Sequence, residues 1–329
     1  MAALAGRTRA ARVAVGHRAE APPLMVGVAY AGALPTMLAL LCLALLGVGY
    51  AVVLGLMAVP ATRSTARDVF PVLLTETLIV GVVAGAFLLG TYAIVALFSL
   101  LALRCGYEAA RVTLPRAGIH GALPAMIVGA ALLVLGLLAS RVHPVPLALG
   151  AVLLMGLLLA VRLMLRTDGK ARAFADLALF PGVPLIVFTG AALQGGAATM
   201  LVAFLLVETF DSYALLGGKL FGKRKAFPVL SPKKTVEGLV SGAVMLMLTV
   251  GLLGPLLGGF PVLGSMLVAL ASGALTVAGD LAASRLKRVA GVKDYPAVLP
   301  HQGGLLDITD AWIATGAGLV TLMSLGNLF

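Results

Sequence analysis

An all-α, polytopic bundle of about nine membrane-spanning helices is the fold class this chain predicts, and three features of its 329 residues predict it. The first is composition. Hydrophobic residues make up 61% and charged residues 11%, with a mean hydropathy of +1.09, which leaves too few charges to clothe a water-soluble surface. The second is the recurrence of apolar runs close to the ~20 residues that cross a ~30 Å hydrocarbon core as helix. Segments of ~10 residues with alternating polarity, which a membrane barrel requires, are absent. The third is where the basic residues fall between those runs.

Taken in order, the apolar spans are 36–59, 72–103, 122–140, 145–166, 177–193, 196–210, 236–257, 262–279 and 310–328. The second is too long for one perpendicular crossing, so it tilts, kinks near Gly90 or extends into water, and a hairpin there would change the count. Pro181, Gly182 and Pro184 interrupt the fifth. Of the 24 Lys and Arg residues, 21 fall in the N-terminal tail and the loops 104–121, 162–176, 211–235 and 280–309, leaving Arg63, Arg67 and Arg141 for the intervening loops. The spans rest on hydropathy alone, so this alternation independently supports an N-inside orientation with both late loops in the cytoplasm.

Three regions follow: a basic cytoplasmic tail at 1–34, a transmembrane scaffold at 35–195, and a catalytic transmembrane region at 196–329 that carries the loops 211–235 and 280–309. The tail holds Arg7, Arg9, Arg12 and Arg18 without the apolar core of a signal peptide. A net charge of +11 reads in such a chain as orientation and contact with anionic headgroups, with no nucleic-acid partner. Cys42 and Cys105 lie in no CxxC or Cys/His pattern and read as packing residues.

Chemistry concentrates in two late segments. Residues 211–238, DSYALLGGKLFGKRKAFPVLSPKKTVEG, combine Asp211, close-packing glycines, cations including Lys223 and Lys234, and the hydroxyls Ser231 and Thr235 just ahead of a helix start. A helix start of this kind offers free N–H groups to an anion. Glu208 and Asp211 at the membrane boundary are costly without a purpose. In residues 279–312 a helix over 280–290 puts Asp280, Ser284, Lys287 and Arg288 on one face. Lys293 and Asp294 follow. Gly303 and Gly304 precede Asp307 and Asp310, which again share a helix face. Carboxylates at both ends of a glycine-containing loop, with lysines between, suit hard Mg²⁺ bridging to phosphates. His301 is open to phosphate contact, proton transfer or a plain turn. No GxSxG, HExxH, Walker A or GxGxxG pattern occurs.

At these two segments the chain resembles the phosphatidate cytidylyltransferase (CDP-diacylglycerol synthase) family. Ser284, Lys287, Arg288, Lys293, Asp294, Gly303, Gly304, Asp307 and Asp310 stand in register with that family's signature. So do Asp211, Gly218, Phe221, Gly222, Lys223, Ser231, Pro232, Lys234, Thr235, Glu237 and Gly238 upstream. The chain differs at Gln302, which moves His301 one place early, at Ile308, where the family carries arginine, and around Tyr295 and Pro296. The resemblance implies transfer of CMP from CTP to phosphatidate or a related lipid phosphate, giving CDP-diacylglycerol and diphosphate, by an enzyme of the bacterial inner membrane facing the cytoplasm. It further implies that Asp280 and Asp307 hold Mg²⁺ with Asp310 assisting, beside a second cation of either valence. Asp211 lines the cavity, and Lys287, Arg288, Lys293 and the SPKKT segment neutralise the triphosphate. A homodimer stays open. So do a CTP-dependent polyprenol or phytol-type lipid kinase, a transporter, and a catalytically silent relative.

Overall fold

The computed structural model of the chain describes residues 33–60, 62–165, 169–258, 260–297 and 303–326. Apolar composition along whole helices, rather than along one stripe, marks segments that are solvated by lipid. These are α1 (Ala33–Ala58), α2 (Arg63–Leu89), α3 (Thr91–Thr113), α4 (Ala122–Ala139) and α5 (Pro144–Met164). There follow a short amphipathic α6 (Lys170–Leu177), α7 (Val183–Ala191) and α8 (Ala197–Phe221). An antiparallel hairpin, β1 (Lys225–Phe227) with β2 (Ser231–Thr235), leads into α9 (Val236–Gly258), α10 (Val262–Val289) and α11 (Leu305–Gly326).

Among the described residues nine helical runs are long and apolar enough to cross a membrane, the number that hydropathy predicts. Their partition differs in two places. Residues 72–103 are not one tilted span, because Gly90, at φ 91° and ψ −162°, ends α2 and begins α3, a conformation open to glycine and strained for other residues. The expected fifth and sixth spans lie in one continuous helical run of 52 residues, Lys170–Phe221, yet remain two helices, α7 and α8. That run folds back at Gly195, φ 116°, so that Phe188 and Phe204 meet the same Trp312 ring, at 5.2 and 5.0 Å.

The break at Gly90 decides which ends share a face. Asp68, early in α2, pairs with Lys219, late in α8, at 3.3 Å, while Glu108, late in α3, bonds the start of α11. The α1–α2 connection therefore lies on the same face as the late loops, here called the polar face, and α1 begins at the opposite one. This corrects the expected placement, which set Arg63 and Arg67 opposite the late loops and the start of the first span beside them. The extra reversal at Gly90 exchanges the two. Of the expected basic tail at 1–34, residues 1–32, with all four of its arginines, lie outside the described residues.

Trp312 sits at the centre of the bundle, ringed by Phe98, Phe188 and Phe204 from three helices, with its Nε1 donating to the Met200 carbonyl at 2.7 Å. On the polar face the buried Asp176 of α6 accepts from Arg116 at 3.0 Å, Arg162 at 2.5 Å and Arg285 at 3.3 Å. Four separate stretches of chain are thereby pinned beneath the site.

Candidate active site

The two late segments meet. Lys234 of β2 reaches Asp280 of α10 at 3.0 Å and Asp211 of α8 at 3.9 Å, joining residues that sequence alone could only propose as neighbours. Its ammonium is held above the usual value of 10.5. Burial alone pulls it down, but Asp211, Asp280 and Asp310 outweigh burial. Asp280 Oδ2 has this ion pair yet no aligned hydrogen bond among the described residues, so the contact is chiefly coulombic. Gly279 lets α10 and α11 touch at this level. A Cβ there would stand 2.8 Å from the Asp310 carbonyl oxygen and 2.6 Å from Ala314 Cβ, and this close approach brings Asp280 within electrostatic reach of Asp310. Asp310 is 5% exposed, and its Oδ1 accepts from the Ala311 N–H at 2.6 Å.

Asp307 is engaged by three donors. It accepts from the Tyr295 N–H at 2.9 Å and the Gly304 N–H at 2.8 Å, and also from the Lys287 ammonium of α10. A carboxylate engaged on both oxygens anchors the connection between α10 and α11. Gly303 adopts φ +76°, and a Cβ there would lie 2.5 Å from Asp307 Oδ2. Lys287 also stands 5.3 Å over the Tyr295 ring. Burial, then Asp310 and Asp307, push the Tyr295 phenol well above its ordinary range, so it keeps its proton and donates to the Ala283 carbonyl at 3.4 Å.

Other predicted residues divide by position. Ser284 and Lys287 are buried on the inner face of α10, whereas Arg288, Lys293 and Asp294 are exposed, with Arg288 donating to the Val292 carbonyl at 3.1 Å. Thr235 caps α9 by accepting from the Gly238 N–H at 3.1 Å. The Lys223 backbone N–H donates to Glu237 at 3.0 Å, which ties the hairpin to α9 and leaves the Lys223 side chain exposed. Ser231 begins β2 at the tip of the hairpin. His301 lies outside the described residues.

Sequence reasoning gave Glu108 no site role, although the structure gives it one. Wholly buried, it accepts from the Leu305 and Leu306 N–H groups at 3.0 and 2.8 Å and from Arg104 at 2.6 Å. It thus satisfies the free donors at the start of α11. Arg104 continues to the Pro296 carbonyl at 3.2 Å. A carboxylate four residues after an arginine in an apolar span is the signal that could have found this pair.

No three His, Cys, Asp or Glu side chains among the described residues are arranged as a metal-binding group. The donor chemistry nonetheless fits a hard divalent cation at Asp280 and Asp310. Both offer only oxygens, and Asp280 Oδ2 is held by the Lys234 ion pair without an aligned hydrogen bond. Asp307 fits less well, since Lys287 and two backbone N–H groups already engage it.

Fold and site together define a polytopic helical membrane protein whose one face gathers lysines and carboxylates in the manner of phosphate-handling proteins. The chain belongs to the Cytidylyltransferase family, whose profile matches residues 72–325. It is similar to the uncharacterized protein YnbB of Escherichia coli K12, 42% identical over 123 residues, 37% of this chain and 41% of that protein. It is also similar to the phosphatidate cytidylyltransferase of Helicobacter pylori J99, 39% identical over 150 residues, 44% of this chain and 54% of that one. With the chloroplastic phosphatidate cytidylyltransferase 5 of Arabidopsis thaliana identity is 40% over 126 residues, 37% and 31% of the two chains. The matched region spans about half or less of each of these relatives.

Proposed function

We propose that the protein transfers the cytidylyl group of CTP to a lipid phosphate, phosphatidate or a close relative, at the polar face, which we take to be the cytoplasmic side of the membrane. The observation that carries the reading is the Lys234 bridge between Asp211 and Asp280. It gathers both motif segments into one cluster where carboxylates and ammonium groups alternate. The relatives named phosphatidate cytidylyltransferase supply the reaction class.

An oxygen of the lipid phosphate attacks the α-phosphorus of CTP. The bond from that phosphorus to the bridging oxygen breaks, and diphosphate leaves with its electron pair. Both reactants are anions, so repulsion must be screened before they align. The half-buried Lys234 and the buried Lys287 are the cations placed to do so, with Arg288, Lys293 and Lys223 exposed for the departing diphosphate. Asp280 and Asp310 would hold Mg²⁺, which when bound neutralises triphosphate oxygens and polarises the bond that breaks. Glu108 and Asp307 fix the α10–α11 connection and so position Asp310. No protein nucleophile is required.

Purified protein in detergent, given CTP, Mg²⁺ and phosphatidate, is expected to release diphosphate only when the lipid is present. Lys234→Met and Asp310→Asn are each expected to cut this rate by at least about 100-fold, the size of a lost charge-stabilising group in a dry site. Lipid-independent release, or unchanged rates in both variants, would contradict the assignment.

A further inference from the structure

A cavity of about 230 Å³ lies between α1, α2 and α8. Its walls are mostly Leu and Val, but its polar rim carries Glu76, Glu208, Thr209 and Ser212. Glu76 of α2 and Glu208 of α8 line it together, and Glu76 Oε2 is buried with no hydrogen-bond partner among the described residues. A carboxyl oxygen hidden in lipid-facing apolar surroundings without a partner is expensive unless a ligand completes it.

Position says which ligand. Glu208 precedes Asp211 by three residues on α8, about 4.5 Å of helix rise toward the membrane centre, and Ser212, next to Asp211, already lines the cavity. Asp280 does not line it. A lipid whose phosphate sits at the Lys234 cluster therefore places its first few backbone atoms at the level of the two glutamates and its chain along the Leu and Val walls. At that level Glu76 and Glu208 offer acceptor oxygens, and the Thr209 and Ser212 hydroxyls that line the same cavity can donate.

We propose that the Glu76–Glu208 shelf binds the linkage region of the lipid substrate, selecting lipid phosphates that carry ester or hydroxyl groups next to the phosphate over linear isoprenyl phosphates. This deepens the cytidylyltransferase reading and rests on it for the placement of the phosphate. An isoprenyl chain offers no hydrogen-bonding group at that depth, so it leaves the shelf unsatisfied, and sites that lose such a partner discriminate strongly.

The test is equilibrium binding of phosphatidate and of phytyl phosphate to the full chain in detergent without CTP, read by native mass spectrometry. Wild-type protein is expected to bind phosphatidate at least about tenfold more tightly, the size of one buried hydrogen bond made or left unmade. The double substitution Glu76→Leu with Glu208→Leu is expected to weaken phosphatidate about tenfold and leave phytyl phosphate unchanged. The milder Glu208→Gln, which keeps the side-chain volume, is expected to lose part of the preference. Equal affinities in the wild type, or a full preference surviving in either variant, overturn the shelf. Because no turnover is needed, selective binding without any CMP transfer supports the shelf and refutes the reaction, whereas transfer without selectivity does the reverse.

Discussion

At Glu108 a single, wholly buried carboxylate satisfies two backbone donors and one guanidinium. Replacing it with alanine leaves those donors unpaired at roughly 1–3 kcal/mol each, so Glu108→Ala is expected to lower thermal stability in detergent by several degrees and to reduce turnover with it. Glu108→Gln, which can still accept but cannot serve three donors as an anion, is expected to fall between. Lys234 has a pH signature. Its folded value is raised above 10.5, so the stability it contributes is fully present below 10.5 and is lost as pH rises through the folded value. The unfolding midpoints of wild type and Lys234→Met should therefore differ by a constant amount on the alkaline side up to about pH 10.5 and converge above it. A difference that already shrinks between pH 8 and 10 would contradict the pairing.

Residue types and their spacing made the members of the cluster legible, because helical periodicity pointed to Asp280 and Asp310 and the family pattern to Asp211, Lys234 and Asp310. The partner of Asp307 was not legible. Nothing in the spacing of a carboxylate on a helix says which side chain of another helix it meets, and here that is Lys287.

Among the elements, the crossing of α10 and α11 carries the most weight for the site. Even a methyl group at Gly279 must displace Ala314 or the Asp310 backbone. Gly279→Ala is expected to impair lipid-dependent diphosphate release at least about tenfold, and Gly279→Leu to abolish it while also lowering the unfolding midpoint. Gly264, with nothing near its Cβ direction, is the control on the same helix, and Gly264→Ala should leave both readouts unchanged. Hydropathy located these helices and separated α7 from α8, but it left α2 and α3 undivided. Gly90 sits inside a continuous apolar run, and whether a glycine there takes a helical or a left-handed backbone is decided by what packs on either side.

For the whole molecule the sharpest departure from the sequence reading is the side on which α1 begins. Charge counting identified the polar face correctly for the late loops but was blind to one reversal, because Gly90 is flanked by apolar residues and no charged loop marks the turn. Cysteine accessibility checks this directly. Arg63→Cys and Lys225→Cys are expected to react with a membrane-impermeant maleimide from the same side of sealed vesicles and Arg141→Cys from the other, against a low background because Cys42 and Cys105 are buried. Labelling of Arg63→Cys together with Arg141→Cys would restore the unbroken second span.

The central claim is that the gathered cluster moves the nucleotide, and not the terminal phosphate, onto a lipid. Purified protein supplied with Mg²⁺, phosphatidate and CTP labelled on either the α- or the γ-phosphate measures this most directly. Label is expected in the lipid fraction from the α-position alone. Lipid label from the γ-position would assign a kinase instead, and an unlabelled lipid fraction from both would contradict the account.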